Sequence, residues 1–573
     1  MRFILSIIIF LTAGFLHAQN TMQPAGTRSE GTLQALRSDQ FIRLLEYATH
    51  PLSEKPEAEL LTLLSRDGSC GFGVIFEALR RLQSADRATA DAIRGAFRPP
   101  SRQLRRTTPS GRIDIYYDTT GADAPAMLDE HGQRIVGSAH TFVDHLAEIL
   151  DSVYLRFADI GYRAPSPPTG ANTIPIILSE LNGVWYGVVE PGLPRPNSGT
   201  VKPTYECSLQ LDNDFREFPT TGLDGARVTA AHEFHHWVQL SEYGWWGDDQ
   251  WIYEMTSTCM EATLYPDIRD YHQYVDQFMR SPHLAFYQWE KRGYELVLHA
   301  LYLAQRFGDD CLRDVWEHMR SIEPITALRT SVAAKGAEYA QVFCQWGETI
   351  YYTGYRAGRI TPQFYDHAAE FPTVRFQADL GMTGSEVEFA ASVMPLASMY
   401  FRTHRGLDTV AVLVSNPDLD AASRREKSGK GFRLRVRTAG ADGDWRALDN
   451  GWSYRMESDH DFCIRVLEGG AATTADRDLP FPNPFLPDGI SRVYFPLPRS
   501  ITVNRGTLRI FSASMDLVTA EEDLPIQVDA LTGVTVSWDG RAANGAMAPS
   551  GVYFYSVHWN GGEKTGKFAL IRR

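Results

Sequence analysis

The residues best suited to chemistry lie between positions 230 and 239, in the pattern His232-Glu233-x-x-His236. On an α-helix, residues four apart lie on the same face, so the two imidazoles can bind one divalent metal ion. Glu233 then projects beside that ion. A metal held in this way keeps an open position for water, and an adjacent carboxylate can take the proton of that water. The pattern therefore predicts a hydrolytic metal site with Glu233 as its catalytic base.

The residues around this pattern predict the helix that it needs. Positions 229 to 240 contain neither Pro nor Gly, Asp224 and Gly225 lie at a suitable start, and Gly244 lies at a suitable end. The stretch is rich in Ala and large apolar residues, which predicts a buried helix of about three turns. The alternative is that both histidines are structural residues of an ordinary helix.

A zinc site needs a third protein ligand. Glu254 follows His236 by 18 residues, which is enough for a helix end, a loop and a returning helix. Glu261 lies two turns further along the same predicted helix, so it is either the competing ligand or a partner that orients a histidine. We favour Glu254, and the predicted zinc ligands are therefore His232, His236 and Glu254.

Two further features of the sequence concern the class of metallohydrolase and its remaining catalytic residue. Metzincins require Gly at position 239 and His at position 242, where this chain has Gln239 and Glu242, so that class is excluded. A hydrolase of this type also needs a group that stabilises the developing oxyanion. Tyr294, His299 and Tyr302 are candidates for that role, with structural packing as the alternative for each.

Length and composition place these residues in one part of a larger protein. A chain of 573 residues exceeds what one hydrophobic core usually supports, so three or four domains are expected. Its 43% hydrophobic residues are sufficient for substantial cores. The net charge of -14 and pI near 5.6 argue against a nucleic-acid partner.

The amino terminus predicts export. Residues 1–18 contain Arg2, an apolar run from Phe3 to Leu16 and a small residue at Ala18, which together indicate a signal peptide. The protein is therefore expected to be secreted or held at the cell surface. Export permits disulfides, but the six widely spaced cysteines form no C-x-x-C pair and their pairing is not predicted. These are Cys70, Cys207, Cys259, Cys311, Cys344 and Cys463.

Residues 19–106 form a predicted helical segment that ends in a basic, Pro-containing linker. A removable pro-segment and a permanent helical cap are both consistent with this position. Cys70 lies in the segment, and its thiolate is chemically able to bind zinc and keep an enzyme latent. A plain buried or disulfide-bonded cysteine is the simpler interpretation.

Residues 107–368 have an α+β order. Strands are predicted at 111–118, 173–178, 184–189 and 207–214, with an amphipathic helix at 138–160, before the helix that carries the histidines. Further helices are predicted at 270–280, 294–308 and 310–322. Short alternating segments then predict two β-sandwiches, at 369–475 and 479–573.

Residues 112 to 356 resemble a family of secreted bacterial metalloproteases of myxobacterial type. The resemblance lies in Tyr116-Tyr117, in Leu209-Gln-Leu-Asp-Asn-Asp214, in Thr229-Ala-Ala-His-Glu-Phe-x-His-x-Val-Gln239 and in Trp251-x-x-Glu254. Such proteins are similar to gluzincins, which implies a zincin-like domain with Zn²⁺ on His232, His236 and Glu254. His235 departs from the family pattern, in which an aromatic or apolar residue is expected.

The carboxyl-terminal domain, residues 479–573, resembles FlgD-like immunoglobulin domains and type IX secretion sorting domains. The resemblance lies in Asn483-Pro-Phe485, Trp538-Asp-Gly540, Pro549-Ser-Gly-Val-Tyr-Phe-Tyr555 and Thr565-Gly-Lys567. It implies an immunoglobulin-like fold and outer-membrane secretion machinery as a partner.

Together these features predict an exported zinc endopeptidase that acts on a protein or peptide. The competing hypothesis is a surface adhesion or glycan-binding protein with an inactive or structural metal site. The intact Glu233 argues against this second hypothesis, because a structural site has no need of a base. Hydrolysis of a non-peptide amide is a third, weaker hypothesis.

Overall fold

The structure is a computed structural model, and within it the predicted signal peptide lies outside the described residues. No helix in the described part of the chain is long and apolar enough to cross a membrane. The structure describes residues 33–50, 55–64, 70–196, 198–288, 293–360, 362, 364–405, 408–448, 451–471, 480, 485, 492–497, 504–529 and 533–572.

The described part of the amino-terminal segment contains four α-helices, as the apolar spacing predicts. They are amphipathic, and their buried sides include Phe41, Leu44, Ile75 and Leu79, which belong to the same hydrophobic core as the sheet and helices that follow. The helices are α1 (Ser38–Thr49), α2 (Ala58–Leu64), α3 (Phe72–Leu82) and α4 (Arg87–Ala96).

A five-stranded mixed sheet follows, with the strand order β1-β2-β3-β5-β4. Strands β2, β3 and β5 are parallel, whereas β1 and β4 run antiparallel to their neighbours. Parallel neighbours in the centre suit these three strands because they are almost entirely buried. The strands are β1 (Leu104–Thr107), β2 (Ile113–Tyr117), β3 (Ile174–Ser179), β4 (Gly187–Arg195) and β5 (Thr204–Asp212).

Two strands differ from the sequence prediction. The expected linker contains β1, whose four residues are all exposed, since the strand pairs with β2 through its backbone and presents basic side chains to solvent. Strand β4 continues beyond residue 189 to Arg195, with an irregularity between Pro191 and Pro194. Prolines are tolerated there because β4 is an edge strand.

Helices fill the rest of the α+β region. Helix α5 packs against β2 and α6, and α6 packs most extensively against α7. The helices are α5 (Ala139–Ile160), α6 (Gly222–Val238), α7 (Gln250–Leu264), α8 (His272–Arg280), α9 (Val297–Phe307), α10 (Asp310–Met319), α11 (Pro324–Ala334) and α12 (Tyr339–Tyr351).

Two four-stranded sheets follow, with orders β13-β9-β8-β6 and β11-β12-β10-β7, and share one apolar interior. This unit is attached to the helices: the Tyr400 hydroxyl donates to the carbonyl of Gly347 at 2.7 Å, and Arg425 forms an ion pair with Asp249 just before α7. Its elements are β6 (Ala378–Gly381), β7 (Glu386–Val393), β8 (Ala397–Arg405), β9 (Asp408–Asn416), α13 (Leu419–Ser423), β10 (Lys430–Arg437), β11 (Arg446–Ala447), β12 (Ser453–Glu457) and β13 (Cys463–Ala471).

The last described part contains a three-stranded sheet, β14-β18-β17, and a four-stranded sheet, β16-β15-β19-β20. Its core is separate and includes Phe495, Trp538 and Phe568. The chain is therefore multidomain, with a helical part and several β-sheets. The strands are β14 (Val493–Pro496), β15 (Arg505–Phe511), β16 (Leu517–Pro525), β17 (Gln527–Asp529), β18 (Gly533–Trp538), β19 (Gly551–Trp559) and β20 (Gly562–Leu570).

A buried polar network joins the amino-terminal helices to the sheet. The Gln210 amide nitrogen donates to the carbonyl of Thr49 at 3.1 Å and to the Glu190 carboxyl at 2.6 Å. Ser208 donates to the other Glu190 oxygen at 3.2 Å. Burial outweighs these hydrogen bonds and raises the pKa of Glu190 to about 8. Glu190 is therefore held as the neutral acid in the folded protein at neutral pH.

We predict that the protein loses stability between about pH 5 and about pH 8, and that the variant Glu190→Gln loses less. The folded pKa is about 8 against an ordinary value of 4.5, so the folded state keeps a proton that the unfolded state releases across this window. Stability then falls as pH rises, by up to roughly 5 kcal/mol for this group. The measurement is the thermal midpoint of the tryptophan fluorescence transition at both pH values. The control is Glu148→Gln, which changes an exposed glutamate. If the thermal midpoint of Glu190→Gln fell as much between the two pH values as that of the parent, Glu190 would not be the buried neutral acid.

Candidate metal centre

Helix α6 carries the His-Glu-x-x-His pattern into the interior of the protein. The helix follows Thr221, which has extended backbone angles (φ -101°, ψ 160°), and every residue from Val228 to its end is buried. A helix that is buried on all sides in this way lies inside the core rather than on its surface. It brings the imidazole rings of His232 and His236 to 4.7 Å between centroids.

The helix continues into a π-helical turn, Gln239–Tyr243, which ends at Gly244 with φ of 94°. The wider turn keeps Gln239 buried directly below the second histidine. Turns of this kind occur mostly as single insertions at functional sites. Gly244 suits the end of the turn because this φ lies in the region that favours glycine.

Helix α7 brings Glu254 to the two imidazoles. One Glu254 carboxylate oxygen lies 3.3 Å from Nε2 of His232 and 3.5 Å from Nε2 of His236. Burial alone would raise the pKa of Glu254, but its contacts with the two histidines outweigh burial and lower the pKa to about 2. Glu254 therefore remains an anion at this position.

These three groups fit a tetrahedral metal ion. Metal–ligand distances of about 2.0–2.1 Å at tetrahedral angles place ligand atoms about 3.3 Å apart, which is the observed spacing. The Nε2 atoms and the Glu254 oxygens are buried and have no hydrogen-bond partner among the described residues. Buried polar groups without partners are costly, and a bound cation would satisfy all of them together.

The other nitrogen of each imidazole is fixed by a second side chain. Glu261 lies 2.5 Å from Nδ1 of His232, and the Gln239 amide oxygen lies 2.7 Å from Nδ1 of His236. Hydrogen bonds at Nδ1 direct the lone pair of Nε2 toward the cluster. The structure thus separates the two carboxylates of α7, with Glu254 at the Nε2 atoms and Glu261 behind one imidazole.

Glu233 lies beside this cluster and is not part of it. Its side chain is buried, and neither carboxylate oxygen has a hydrogen-bond partner among the described residues. Its Cγ lies against β4, where a Cβ at Gly187 would approach to 2.9 Å. Position 187 therefore has to be glycine for Glu233 to lie here, at the edge of the sheet.

His235 points away from the cluster into an aromatic environment. Its ring centroid lies 5.4 Å from Phe157, 5.1 Å from Tyr162 and 5.9 Å from Trp316. Burial lowers the pKa of His235 well below its usual range. His235 is therefore a neutral side chain packed among aromatic rings, and it lies outside the cluster of possible metal ligands.

The three oxyanion candidates have different surroundings. Tyr294 stacks on His232 with 5.6 Å between ring centroids and lines the small cavity beside Glu233. His299 is buried next to Trp346 and hydrogen-bonds Tyr339 at 2.8 Å. The Tyr302 hydroxyl accepts from Arg306 at 2.6 Å. Of the three, only Tyr294 lies at the site.

Cys70 reaches the cluster from the amino-terminal segment. Its ligand atom and those of His232, His236 and Glu254 all lie within 4.8 Å of one another. Cys70 is buried and forms no disulfide in the described structure. The structure thus shows the buried cysteine of the simpler interpretation, without a disulfide, and also places it next to the residues that the metal-binding alternative requires.

Three residues that line a small cavity beside Glu233 were not predicted from the sequence. Tyr186, Thr229 and Asp270 border a cavity of about 10 Å³ next to Glu233, which is about the room for one water molecule. The contact of Gln239 with His236 could have been predicted from the sequence, because Gln239 lies one helical turn after His236. The position of Tyr186 at the cavity could not have been predicted, because it depends on how β4 packs against α6.

Comparisons with known proteins give little additional information. No protein-family model matches the chain, and no curated protein matches it. A solved structure of PorZ, described as an essential bacterial surface component of the type-IX secretion system of Porphyromonas gingivalis, is similar to part of the chain. The identity is 15%, the match covers 31% of this chain and 23% of PorZ, and the TM-score is 0.13, so the likeness supports no argument.

We predict that Glu261→Gln weakens binding of a divalent metal by about 10–100-fold, because Nδ1 of His232 loses its carboxyl partner. Affinity is measured by competition with a chromophoric chelator. Glu190→Gln is the matched control, since Glu190 is also a buried glutamate but does not touch the imidazoles. Equal affinity of Glu261→Gln and the parent would show that Glu261 does not orient His232.

Proposed function

We propose that the protein is an exported zinc-dependent endopeptidase, in which His232, His236 and Glu254 hold the zinc and Glu233 is the general base. One observation carries this proposal: a ligand cluster at tetrahedral spacing lies beside the buried carboxylate of Glu233, which interacts with the Cys70 thiol and is not one of the cluster's ligands. A structural metal site would need the ligands but not the additional carboxylate.

Two imidazoles and a glutamate form a ligand set found in catalytic zinc sites. When bound, zinc supplies Lewis-acid chemistry, which lowers the pKa of a water molecule and polarises a carbonyl oxygen. Glu233 takes the proton of the attacking water on its carboxylate and passes it to the nitrogen of the leaving amine. Glu261 and Gln239 hold the two imidazoles in place throughout.

The substrate in this proposal is an extended segment of a protein or peptide. Strand β4 is the outer strand of the mixed sheet, and its residue Gly187 touches Glu233. An extended peptide can add to such a strand through main-chain hydrogen bonds. A peptide placed along this edge would present one of its internal bonds to Glu233, which favours cleavage within a chain.

Tyr294 is the proposed donor to the oxyanion. Its ring is stacked on His232, so its position is coupled to the ligand cluster. Its hydroxyl already lies 3.4 Å from a backbone carbonyl oxygen, that of Cys70, which shows that it can reach a carbonyl placed at the edge of β4. Donors held in this way stabilise charge as it develops on an oxygen.

Export is part of the same proposal. It is supported by the predicted signal peptide at residues 1–18 and by the resemblance of residues 479–573 to secretion sorting domains. The β-strands β14 to β20 and their separate core are consistent with a self-contained carboxyl-terminal domain. That domain would engage the outer-membrane secretion machinery, and the protein would act outside the cell or at its surface.

We predict that Glu233→Gln retains one zinc per chain and loses casein hydrolysis by about 10²–10⁴-fold, because the amide cannot take a proton. Zinc content is measured by elemental analysis. Hydrolysis is measured on the intact chain and after limited trypsin treatment, which can cut at the exposed Arg105 or Arg106. Exposed Glu148→Gln is the control.

Two results would contradict the proposal. Casein cleavage by Glu233→Gln at the parental rate would show that Glu233 is not the base. Zinc that remains bound while no form of the parent cleaves any peptide would instead favour the surface-binding protein with a structural metal site.

A further inference from the structure

The amino-terminal segment covers the candidate metal centre directly. Cys70 forms a parallel β-bridge with Gly187, on the edge of β4 that lies next to Glu233. Its backbone N–H donates to the Tyr294 hydroxyl at 3.2 Å, and that hydroxyl approaches the Cys70 carbonyl at 3.4 Å. Cys70 therefore occupies the place that we propose for a substrate residue.

The two residues after Cys70 fit the same surface closely. A Cβ at Gly71 would lie 2.6 Å from the ring of Trp185, so a side chain here would push the segment away from the sheet. The ring of Phe72 stacks on His236 with 3.8 Å between centroids and 4° between planes. The sequence Cys-Gly-Phe is thus shaped to the site itself and not only to the hydrophobic core.

The chemistry of Cys70 matches the remaining ligand position. His232, His236 and Glu254 provide three ligands, and a tetrahedral zinc ion takes four. A thiolate is a preferred zinc ligand, and the Cys70 ligand atom lies within 4.8 Å of the other three. The thiol proton would be released to solvent as the metal binds.

We propose that residues 33–97 are an autoinhibitory segment whose Cys70 thiolate is the fourth zinc ligand and whose backbone blocks the edge of β4. This inference rests on the proposed function, because it assigns regulation to the same site. With Cys70 in place, water and substrate have no open position on the metal. The cavity of about 10 Å³ beside Glu233 also leaves no room for a peptide.

Release of the segment requires cleavage. Phe41, Leu44 and Ile75 are fully buried in the core shared with the catalytic region, so the intact segment does not leave the site easily. The chain between α4 and β1 is mostly exposed, and Arg105 and Arg106 in β1 keep more than half of their side-chain surface exposed. Exposed chain of this kind is where proteases cut.

Zinc K-edge X-ray absorption of the intact, zinc-loaded chain tests the ligand assignment. We expect one sulfur at about 2.3 Å and nitrogen or oxygen ligands at about 2.0–2.2 Å. Cys70→Ser should lose the sulfur signal, whereas Cys311→Ser, which changes another buried cysteine, should keep it. The parent spectrum decides the question even if Cys70→Ser folds poorly.

The outcomes separate this inference from the proposed function. Bound zinc with only nitrogen and oxygen ligands in the parent overturns the role of Cys70 and leaves the peptidase proposal intact. No zinc bound by the parent under loading conditions overturns the peptidase proposal itself.

Hydrolysis tests the inhibitory role. A tethered inhibitor acts at an effective concentration of about millimolar, so the parent that has been cut at residues 98–106 and freed of the fragment should lose the sulfur signal and cleave casein at least about tenfold faster than the intact parent. Intact Cys70→Ser loses the thiolate but keeps the backbone on the edge of β4, so its rate should lie between those two. Equal rates for the intact parent and intact Cys70→Ser would overturn inhibition by Cys70.

Discussion

The burial of charged and polar side chains without hydrogen-bond partners is the constraint on which the rest of the structure depends. Nε2 of His232, Nε2 of His236 and a Glu254 oxygen face one another in the interior, and the buried Glu233 carboxylate lies beside them. Burying such groups costs several kcal/mol each unless a counter-ion is present. A single divalent cation would offset most of that cost. The core around them, from α6 and α7 to the edge of β4, serves to hold these groups at metal-ligand spacing.

Two side chains behind the imidazoles, Glu261 and Gln239, explain the arrangement of α7 and of the π-helical turn after α6. Glu261 lies two turns after Glu254 on α7, so one helix supplies both a group at the cluster and a group behind His232. On α6 the corresponding partner comes from the π-helical turn, which keeps Gln239 within reach of His236. Gln239 also donates to Thr256 and Ser257 of α7, so the two helices fix each other. Orientation of the imidazoles is therefore a property of the helix pair.

Local patterns in the sequence were sufficient for most of the helices around the site but not for every strand or contact. Helix α5 was expected at 138–160 and lies at Ala139–Ile160, and the apolar stretch at 229–240 lies within α6 and its π-helical turn. Helical spacing also identified both carboxylates of α7. The sequence could not separate Tyr294 from His299 and Tyr302, because all three follow the same helical pattern and only packing places Tyr294 on His232. It could not place Cys70 either, since its contact with Gly187 joins residues more than a hundred positions apart.

The amino-terminal helices and the metal centre depend on each other through polar contacts as well as apolar ones. Thr49 at the end of α1 accepts from Gln210, which in turn donates to the neutral acid Glu190, so the same helices that deliver Cys70 also close a buried network on β4 and β5. Departure of the segment would expose Glu190 to water and allow it to ionise, while the edge of β4 became free at Gly187. Departure of the segment would therefore expose the edge of β4 and break the hydrogen bonds of Thr49, Gln210 and Glu190 at the same time. In the described structure, the segment therefore shares both its apolar core and a buried polar network with the sheet and is not a separate domain.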